Sequence, residues 1–114
     1  MDSKPSTAVS LKALLKELSR FRERTPGSAR HFEKAKRRVP YGVHSNYRLV
    51  EPYPVYMRRG SGTRLWDVDG NEYTDFSMSF GALVTGHAHP RLAEALRQRM
   101  EDGTILGFEG EDTA

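Results

Sequence analysis

The sequence predicts an α+β fold made of amino-terminal helices, a small antiparallel β-meander and a following helix. Three observations carry this. Leucines recur at helical spacing between residues 11 and 18, a strand-like run with glycine turns fills residues 54–76, and apolar residues return at helical spacing between 92 and 100. With 114 residues, 37% of them hydrophobic, the chain can bury one small core and is too short for a typical two-domain enzyme. Its organisation divides near residue 40, into a tail with helices (1–40) and a loop, meander, glycine loop and helix (41–114).

After a polar tail rich in Ser, Thr and Pro, Ser10 is the expected N-cap of a helix whose Leu11, Leu14, Leu15 and Leu18 share a face. That stripe is broad enough to need a covering surface from elsewhere in a longer protein or from a partner subunit. Thr25, Pro26, Gly27 and Ser28 break the helix. A second short helix follows over SARHFEKAKRR, with Ser28 as cap, Phe32 and Ala35 inward and Pro40 forcing its end. From Tyr41 to Pro54 periodicity disappears among Gly42, Pro52 and Pro54, which predicts an extended loop.

Strands are expected at roughly 54–59, 63–67 and 72–76, joined by turns at Gly60-Ser61-Gly62 and Asp69-Gly70. The Asp-Gly pair suits a type I′ turn, and Leu65, Trp66, Tyr73 and Phe76 would supply apolar and aromatic contacts. A glycine-rich loop, SFGALVTGHAHP, leads to Pro90 in the first turn of a helix with Leu92, Ala95, Leu96 and Met100 on one face and Gly103 as its stop. The last residues, TILGFEGEDTA, have no periodicity and no closing element, so the chain is expected to be a truncated piece.

The absence of cysteine excludes disulfides, thiolate nucleophiles and Cys-ligated zinc, and leaves a reducing cytoplasm as the default compartment. Lys12, Lys16 and Glu17 interrupt any secretory apolar core, and no run is long enough to span a membrane. The net charge of +3 conceals an asymmetry: eleven Lys and Arg against four Asp and Glu in residues 1–40, but seven against eleven in 41–114, giving +7 and −4. Arg20 to Arg24 and Lys34 to Arg38 could meet phosphates, but a solvated helix face is the preferred reading, so nucleic acid is not an expected partner.

The acidic group Asp67, Asp69, Asn71, Glu72 and Asp75 suggests a calcium loop but fails its spacing. Counting from Asp67, Glu72 stands where glycine is needed and Met78 where a bidentate glutamate belongs. A hairpin turn with solvated acids is the better account. His87 and His89 could put two imidazoles on one side of an extended segment, yet two ligands do not make a metal site; hydrogen bonds to backbone in a tight loop are the alternative. No metal is therefore expected. The glycines form neither GxGxxG nor GxxxxGK[ST], and Ser45, Ser77 and Ser79 lack the spacing of a nucleophile with its base. Arg48 stands apart in a breaker-rich loop after Gly42-Val43-His44-Ser45; it is either a carboxylate-binding fork or an ordinary surface arginine.

The run LWDVDGNEYTDFSMSFGALVTGHAHPRLAEAL resembles a stretch near the amino terminus of class III pyridoxal-phosphate-dependent aminotransferases, where a DVDGNxYxD hairpin precedes a GHxHPxVxxA segment. Upstream, FEKAKRRVPYGVHSNYR is similar, more loosely, to the segment of glutamate-1-semialdehyde 2,1-aminomutases and β-amino-acid aminotransferases in which a PGGVNSxxR-like loop delivers a substrate arginine. The resemblance spans about residues 11–110. It implies an α+β fragment of a fold type I (α/β) aminotransferase whose large domain is absent, with pyridoxal 5′-phosphate as cofactor of the complete enzyme and a cytoplasmic homodimer as its assembly.

The resemblance also implies roles for single residues. Arg48 matches the arginine that holds the substrate carboxylate, Ser45 the neighbouring loop serine, and Phe80 an aromatic position, tryptophan in typical aminomutases, that walls the substrate pocket. Phe80, His44 and Tyr47 depart from the aminomutase pattern, so an amino acid or β-amino acid donor is as compatible as an amino-aldehyde. All five lysines, 4, 12, 16, 34 and 36, precede the matched hairpin in polar helical surroundings. None suits the desolvated setting of a Schiff-base amine. No catalytic and no cofactor-binding residue is therefore expected here, and the 114-residue chain alone is expected to be inactive. The competing class of function is a stand-alone basic adaptor that binds nucleic acid or protein through residues 1–40, which would reveal itself by steep salt dependence.

Overall fold

The computed structural model describes residues 7–103, with side chains from residue 11 onward. The polar tail, Lys4 and the aperiodic segment 104–114 lie outside the described residues. In chain order the elements are α1 (Thr7–Arg24), α2 (Pro26–Ala35), two short 3-10 turns (Pro40–Gly42 and Asn46–Arg48), β1 (Met57–Ser61), β2 (Arg64–Asp67), β3 (Glu72–Thr74) and α3 (Pro90–Asp102). The strands form an antiparallel meander in the order β1-β2-β3. Contacts group the described residues into two units: those up to Arg59 together with Leu65–Thr74, and Gly60–Arg64 together with those from Asp75 to Gly103.

In the first unit α1 begins at Thr7, so Ser10 lies inside the helix and does not cap it. Ala8 sits in the opening turn and is the strongest of helix formers, which favours extension past the serine. Leu11, Leu14 and Leu15 remain exposed, while Leu18 and Phe21 are half-buried. The second helix also starts earlier than Ser28: Thr25 is its N-cap and Pro26 occupies the first turn, where a missing N–H costs nothing. Thr25 makes no capping bond, because its hydroxyl donates instead to the Phe21 carbonyl at 2.6 Å. The free amides of Gly27 and Ser28 donate to the Asp69 carboxylate, the latter at 3.0 Å. A carboxylate at a helix N-terminus also meets the positive end of the helix dipole. Phe32 and Ala35 are half-buried as expected, but α2 stops at Ala35, ahead of Pro40, and a turn through Arg38 follows.

The hairpin between β2 and β3 is the structural centre of this unit. Asp67 accepts from the Asp69 and Asn71 amides through Oδ1, at 2.9 and 2.8 Å, and from Asn71 Nδ2 and the Tyr73 hydroxyl through Oδ2, at 2.8 and 2.9 Å. The expectation of solvated acids is overturned here, since Asp67 is 1% exposed and its donors replace water. Burial alone would raise its pKa, but the bonds from Asn71, Tyr73 and Asp69 outweigh it and hold the carboxyl below its usual value. Tyr73 is pushed up to about 12 by burial and by its bond to Asp67. The turn is not type I′: Gly70 has φ 89° while Asp69 has no positive φ, and the Gly70 amide reaches the Asp67 carbonyl at 3.2 Å. Asn71 returns to pair with Asp67, giving a three-residue loop with glycine in the left-handed position.

Asn71 Nδ2 also donates to the Arg24 carbonyl at 2.8 Å, so one hairpin closes the end of α1 and the start of α2. Buried Ser28 links α2 to the strand entry by accepting the Tyr56 amide at 3.1 Å. Tyr53, the buried hydrophobic side chain among the described residues, stacks obliquely on Phe21 with centroids 5.1 Å apart and has its hydroxyl 3.2 Å from Thr25 Oγ1.

The first strand starts at Met57, not 54, because Pro54 has no N–H to give to a ladder. It also runs through Gly60 and Ser61, which the sequence had assigned to a turn. In the second unit Gly62 forms an antiparallel bridge with His87, through two hydrogen bonds of 2.8 Å, and the turn moves to Gly62-Thr63. Gly60 stays extended because its bare Cα leaves room for the His87 ring, which a Cβ would approach to 2.6 Å. The third strand ends at Thr74, and Phe76, expected to supply contacts, is 94% exposed. Helix α3 stops at Gly103 (φ 90°), and Leu92, Leu96 and Met100 on it are exposed.

Candidate functional site

The loop 40–48 is shaped by its neighbours on α2. Tyr41 and Gly42 take φ values of 57° and 72°, and a Cβ at Gly42 would lie 2.8 Å from the Phe32 ring. Both left-handed conformation and lack of space therefore require glycine there. The backbone then recovers extended geometry at Val43 and Ser45, and the turn Asn46–Arg48 closes with the Arg48 amide donating to the Ser45 carbonyl at 3.0 Å. Asn46 Oδ1 accepts the Tyr47 amide at 2.9 Å and stiffens the same turn.

Arg48 is exposed, and its Nε donates to the Tyr47 hydroxyl at 2.9 Å, with the guanidinium carbon 5.3 Å from the Tyr47 ring centroid. Neither terminal nitrogen makes a hydrogen bond to the described residues, which leaves both for a two-pronged grip on a carboxylate. Arg48 lines a cleft of about 440 Å³ with Val43, His44, Pro54, Val55, Tyr56 and Met57. The walls are mostly apolar, so a cationic fork stands beside a surface suited to a hydrocarbon group. Tyr56 donates its hydroxyl to the Gly42 carbonyl at 3.1 Å, and burial pushes its phenol pKa up, so it stays neutral.

Of the three residues singled out from sequence, Ser45 and Arg48 belong to the first unit and Phe80 to the second. Ser45 and Arg48 share a turn, yet Ser45 lines a second cleft of about 450 Å³ with Val39, Pro40, Tyr41, Asn46 and Leu49; Val43 and His44 contribute to both. The Ser45 hydroxyl donates to Asn46 Oδ1 at 3.5 Å, a long bond that leaves it available. Phe80 belongs to the other unit, where it is 82% exposed with φ 57°. Tyr56 had no signal in spacing or motif, and Tyr47 entered only as a departure from the aminomutase pattern immediately before the singled-out arginine.

In the second unit Asp75 is the organising group. Its Oδ1 accepts the Ser77 and Met78 amides at 2.8 and 2.9 Å, and Oδ2 lies 2.7 Å from His87 Nε2. The His87 bond is the main reason that the Asp75 carboxyl titrates below its ordinary value. The expectation of histidines bonded to backbone is corrected: the His87 imidazole pairs with a carboxylate, and buried His89 Nδ1 has no hydrogen-bond partner among the described residues. Among the described residues no group of three or more His, Asp or Glu could hold a metal ion. Nor do the described lysines fit pyridoxal phosphate as a Schiff base. Lys12, Lys16, Lys34 and Lys36 are all exposed, and Lys36 is paired with Glu33 at 2.6 Å. No helix here is long and apolar enough to cross a membrane, among the described residues.

Comparison with known proteins gives this geometry a context. The family model of class-III aminotransferases matches residues 46–113, from the Arg48 turn through α3. The glutamate-1-semialdehyde 2,1-aminomutase of Methanopyrus kandleri is 41% identical over 87 residues, covering 76% of this chain and 20% of that protein. Two solved structures superpose well. The β-phenylalanine aminotransferase of Variovorax paradoxus has a TM-score of 0.78 at 33% identity, over 87% of this chain and 23% of that one. A transaminase with pyridoxal phosphate (PLP) bound has a TM-score of 0.71 at 39% identity, over 76% and 20%. The chain thus spans about a fifth of the length of the curated relatives it matches.

Proposed function

The chain belongs to the class-III aminotransferase family, and from that premise we propose that it supplies the substrate-carboxylate recognition of a pyridoxal-phosphate-dependent amino-group transfer. Its architecture is the corresponding part of a fold type I aminotransferase. The substrate would be an amino acid or amino-aldehyde, and the complete enzyme a cytoplasmic homodimer. The cofactor supplies the electron sink for transfer. The lysine that anchors it and the groups that bind its phosphate are not among the described residues, so the part played by this chain is to bind and orient.

The observation that carries the reading is the anchored guanidinium of Arg48 at the edge of an apolar cleft. With Nε held by Tyr47, the two terminal nitrogens form a planar fork of fixed direction. A carboxylate seated on that fork fixes the reacting carbon relative to a group elsewhere in the enzyme, and fixed orientation lowers the entropy cost of the reaction. With substrate seated and the rest of the enzyme in place, the Val43, Pro54, Val55 and Met57 surface would exclude water beside the fork, which would strengthen each charged hydrogen bond. Ser45 would offer a further hydroxyl from the same turn, and Phe80 would wall the pocket by the family correspondence. The basic adaptor reading gains nothing from the family match, which begins at residue 46, beyond the basic segment.

Arg48→Ala in the complete enzyme tests this reading. Loss of a bidentate charged hydrogen bond in a desolvated site is worth about 2–4 kcal/mol, so kcat/KM for a carboxylate donor should fall roughly 30- to 1000-fold while the cofactor absorbance is retained. Retained kcat/KM would remove Arg48 from substrate binding.

A further inference from the structure

We propose that His87 is a positioning residue: through Asp75 it holds the left-handed turn that presents Phe80. This rests on the reading of Phe80 as a pocket wall, and it names the device that sets the orientation of that wall. Four successive residues, Met78, Ser79, Phe80 and Gly81, have φ values of 44°, 55°, 57° and 84°. Only the last is glycine. A left-handed turn of three L side chains is disfavoured at each of them, and such a conformation persists only where surrounding bonds over-determine it.

The bonds that do so are visible. Within the turn the Gly81 amide reaches the Ser77 and Met78 carbonyls, both at 3.1 Å, and Leu83 N–H reaches the Met78 carbonyl at 3.0 Å. At its start Asp75 Oδ1 takes the Ser77 and Met78 amides, so one carboxylate oxygen caps the turn. A carboxylate can rotate away from such a cap. Its other oxygen is fixed by His87 Nε2, and the Asp75 amide is tied to the Thr63 carbonyl at 2.8 Å.

His87 is itself fixed from two sides. Its backbone is locked to Gly62 by the paired 2.8 Å bonds, and its ring lies against the bare Cα of Gly60. Gly86 next to it also fits only as glycine: its φ is 80°, and a Cβ would lie 3.0 Å from the Gly62 carbonyl oxygen. The restraint therefore runs from the glycine-bearing edge of β1 through the His87 ring to Asp75 and on to the turn. Since Asp75 is ionised, the imidazole donates Nε2–H in this bond.

The test separates the hydrogen bond from the packing of the ring. His87→Phe keeps a planar ring beside Gly60 without a donor, and His87→Gln restores a donor near the Nε2 position. Amide hydrogen exchange of the protein, read by NMR, should show protection of the Ser77 and Met78 amides falling roughly ten- to hundredfold in His87→Phe and recovering in His87→Gln. The Gly62 amide, bridged through backbone alone, should keep its protection in both variants. Unchanged exchange at Ser77 and Met78 in His87→Phe would overturn the proposal. So would equal loss at Gly62, which marks general loosening, or failure of His87→Gln to restore protection. Phe80→Ala decides the underlying reading independently. If it leaves the preference of the complete enzyme for bulky over small carboxylate donors unchanged, the pocket-wall role fails, while the exchange data still decide whether His87 controls the turn. If it alters that preference, His87→Phe should alter it in the same direction and His87→Gln should restore it.

Discussion

The region around the β2–β3 hairpin and the region from Asp75 to α3 are both organised by an aspartate, but the surroundings of those carboxylates differ. Asp67 is 1% exposed and holds four donors from Asp69, Asn71 and Tyr73, within a unit that also buries Thr25, Ser28 and Tyr53. Asp75 holds three donors in a unit where Phe76, Phe80, Val84, Leu92, Leu96 and Met100 are all exposed. A short chain with few buried apolar side chains can thus gain definition from saturated polar groups, whose removal leaves unpaired donors out of reach of water. Where the same device stands on an exposed segment it fixes the local backbone while the large apolar side chains stay exposed. The first unit carries the anchored arginine and the second the displayed aromatic.

Breaking the buried carboxylate should have the largest effect on stability. Asp67→Ala strands the Asp69 and Asn71 amides and the Tyr73 hydroxyl, and should cost about 3–4 kcal/mol, read as a lowered urea midpoint. A cost below about 1 kcal/mol would show that the hairpin does not depend on it. The same group sharpens the comparison through pH. Since the Asp67 carboxyl titrates below its unfolded value, its contribution is complete above about pH 4 and is lost as pH falls through the folded value. Tyr73 behaves oppositely. Its contribution is complete below its unfolded value of roughly 10 and is lost as pH rises through about 12. A pH series of urea midpoints should therefore lose part of its alkaline decline in Tyr73→Phe, the rest falling to Tyr56, and part of its acid decline in Asp67→Asn. The smallest effect is expected at the exposed end of the comparison: Phe76→Ser, at a side chain 94% exposed, should change stability by less than about 0.5 kcal/mol.

The helices and the three-strand order were legible because hydrophobic period and glycine punctuation are local signals. What was hidden lay in long-range pairing. Ser28 looked like a cap because Ser before a helical pattern usually is one, but the caps of α2 come from Asp69, more than 40 residues away. Gly60-Ser61-Gly62 looked like a turn because two glycines flank a serine; the first glycine instead makes room for His87 and the second pairs with it. Asp67 looked solvated because single acids in turns generally are, and only the return of Asn71 and Tyr73 buries it. Arg48 was singled out by its breaker-rich loop and by the family motif, whereas its bond to Tyr47 depends on a side-chain conformation that no pattern encodes.

The most direct test of the account compares two amines in the complete enzyme, one bearing a carboxylate and one lacking it, with and without Arg48→Ala. The anchored fork predicts that kcat/KM for the carboxylate donor falls roughly 30- to 1000-fold while the amine without a carboxylate, which never uses the fork, is turned over almost as before. Equal losses for both amines would show that Arg48 only supports its loop, and would contradict the assignment of carboxylate recognition to this chain.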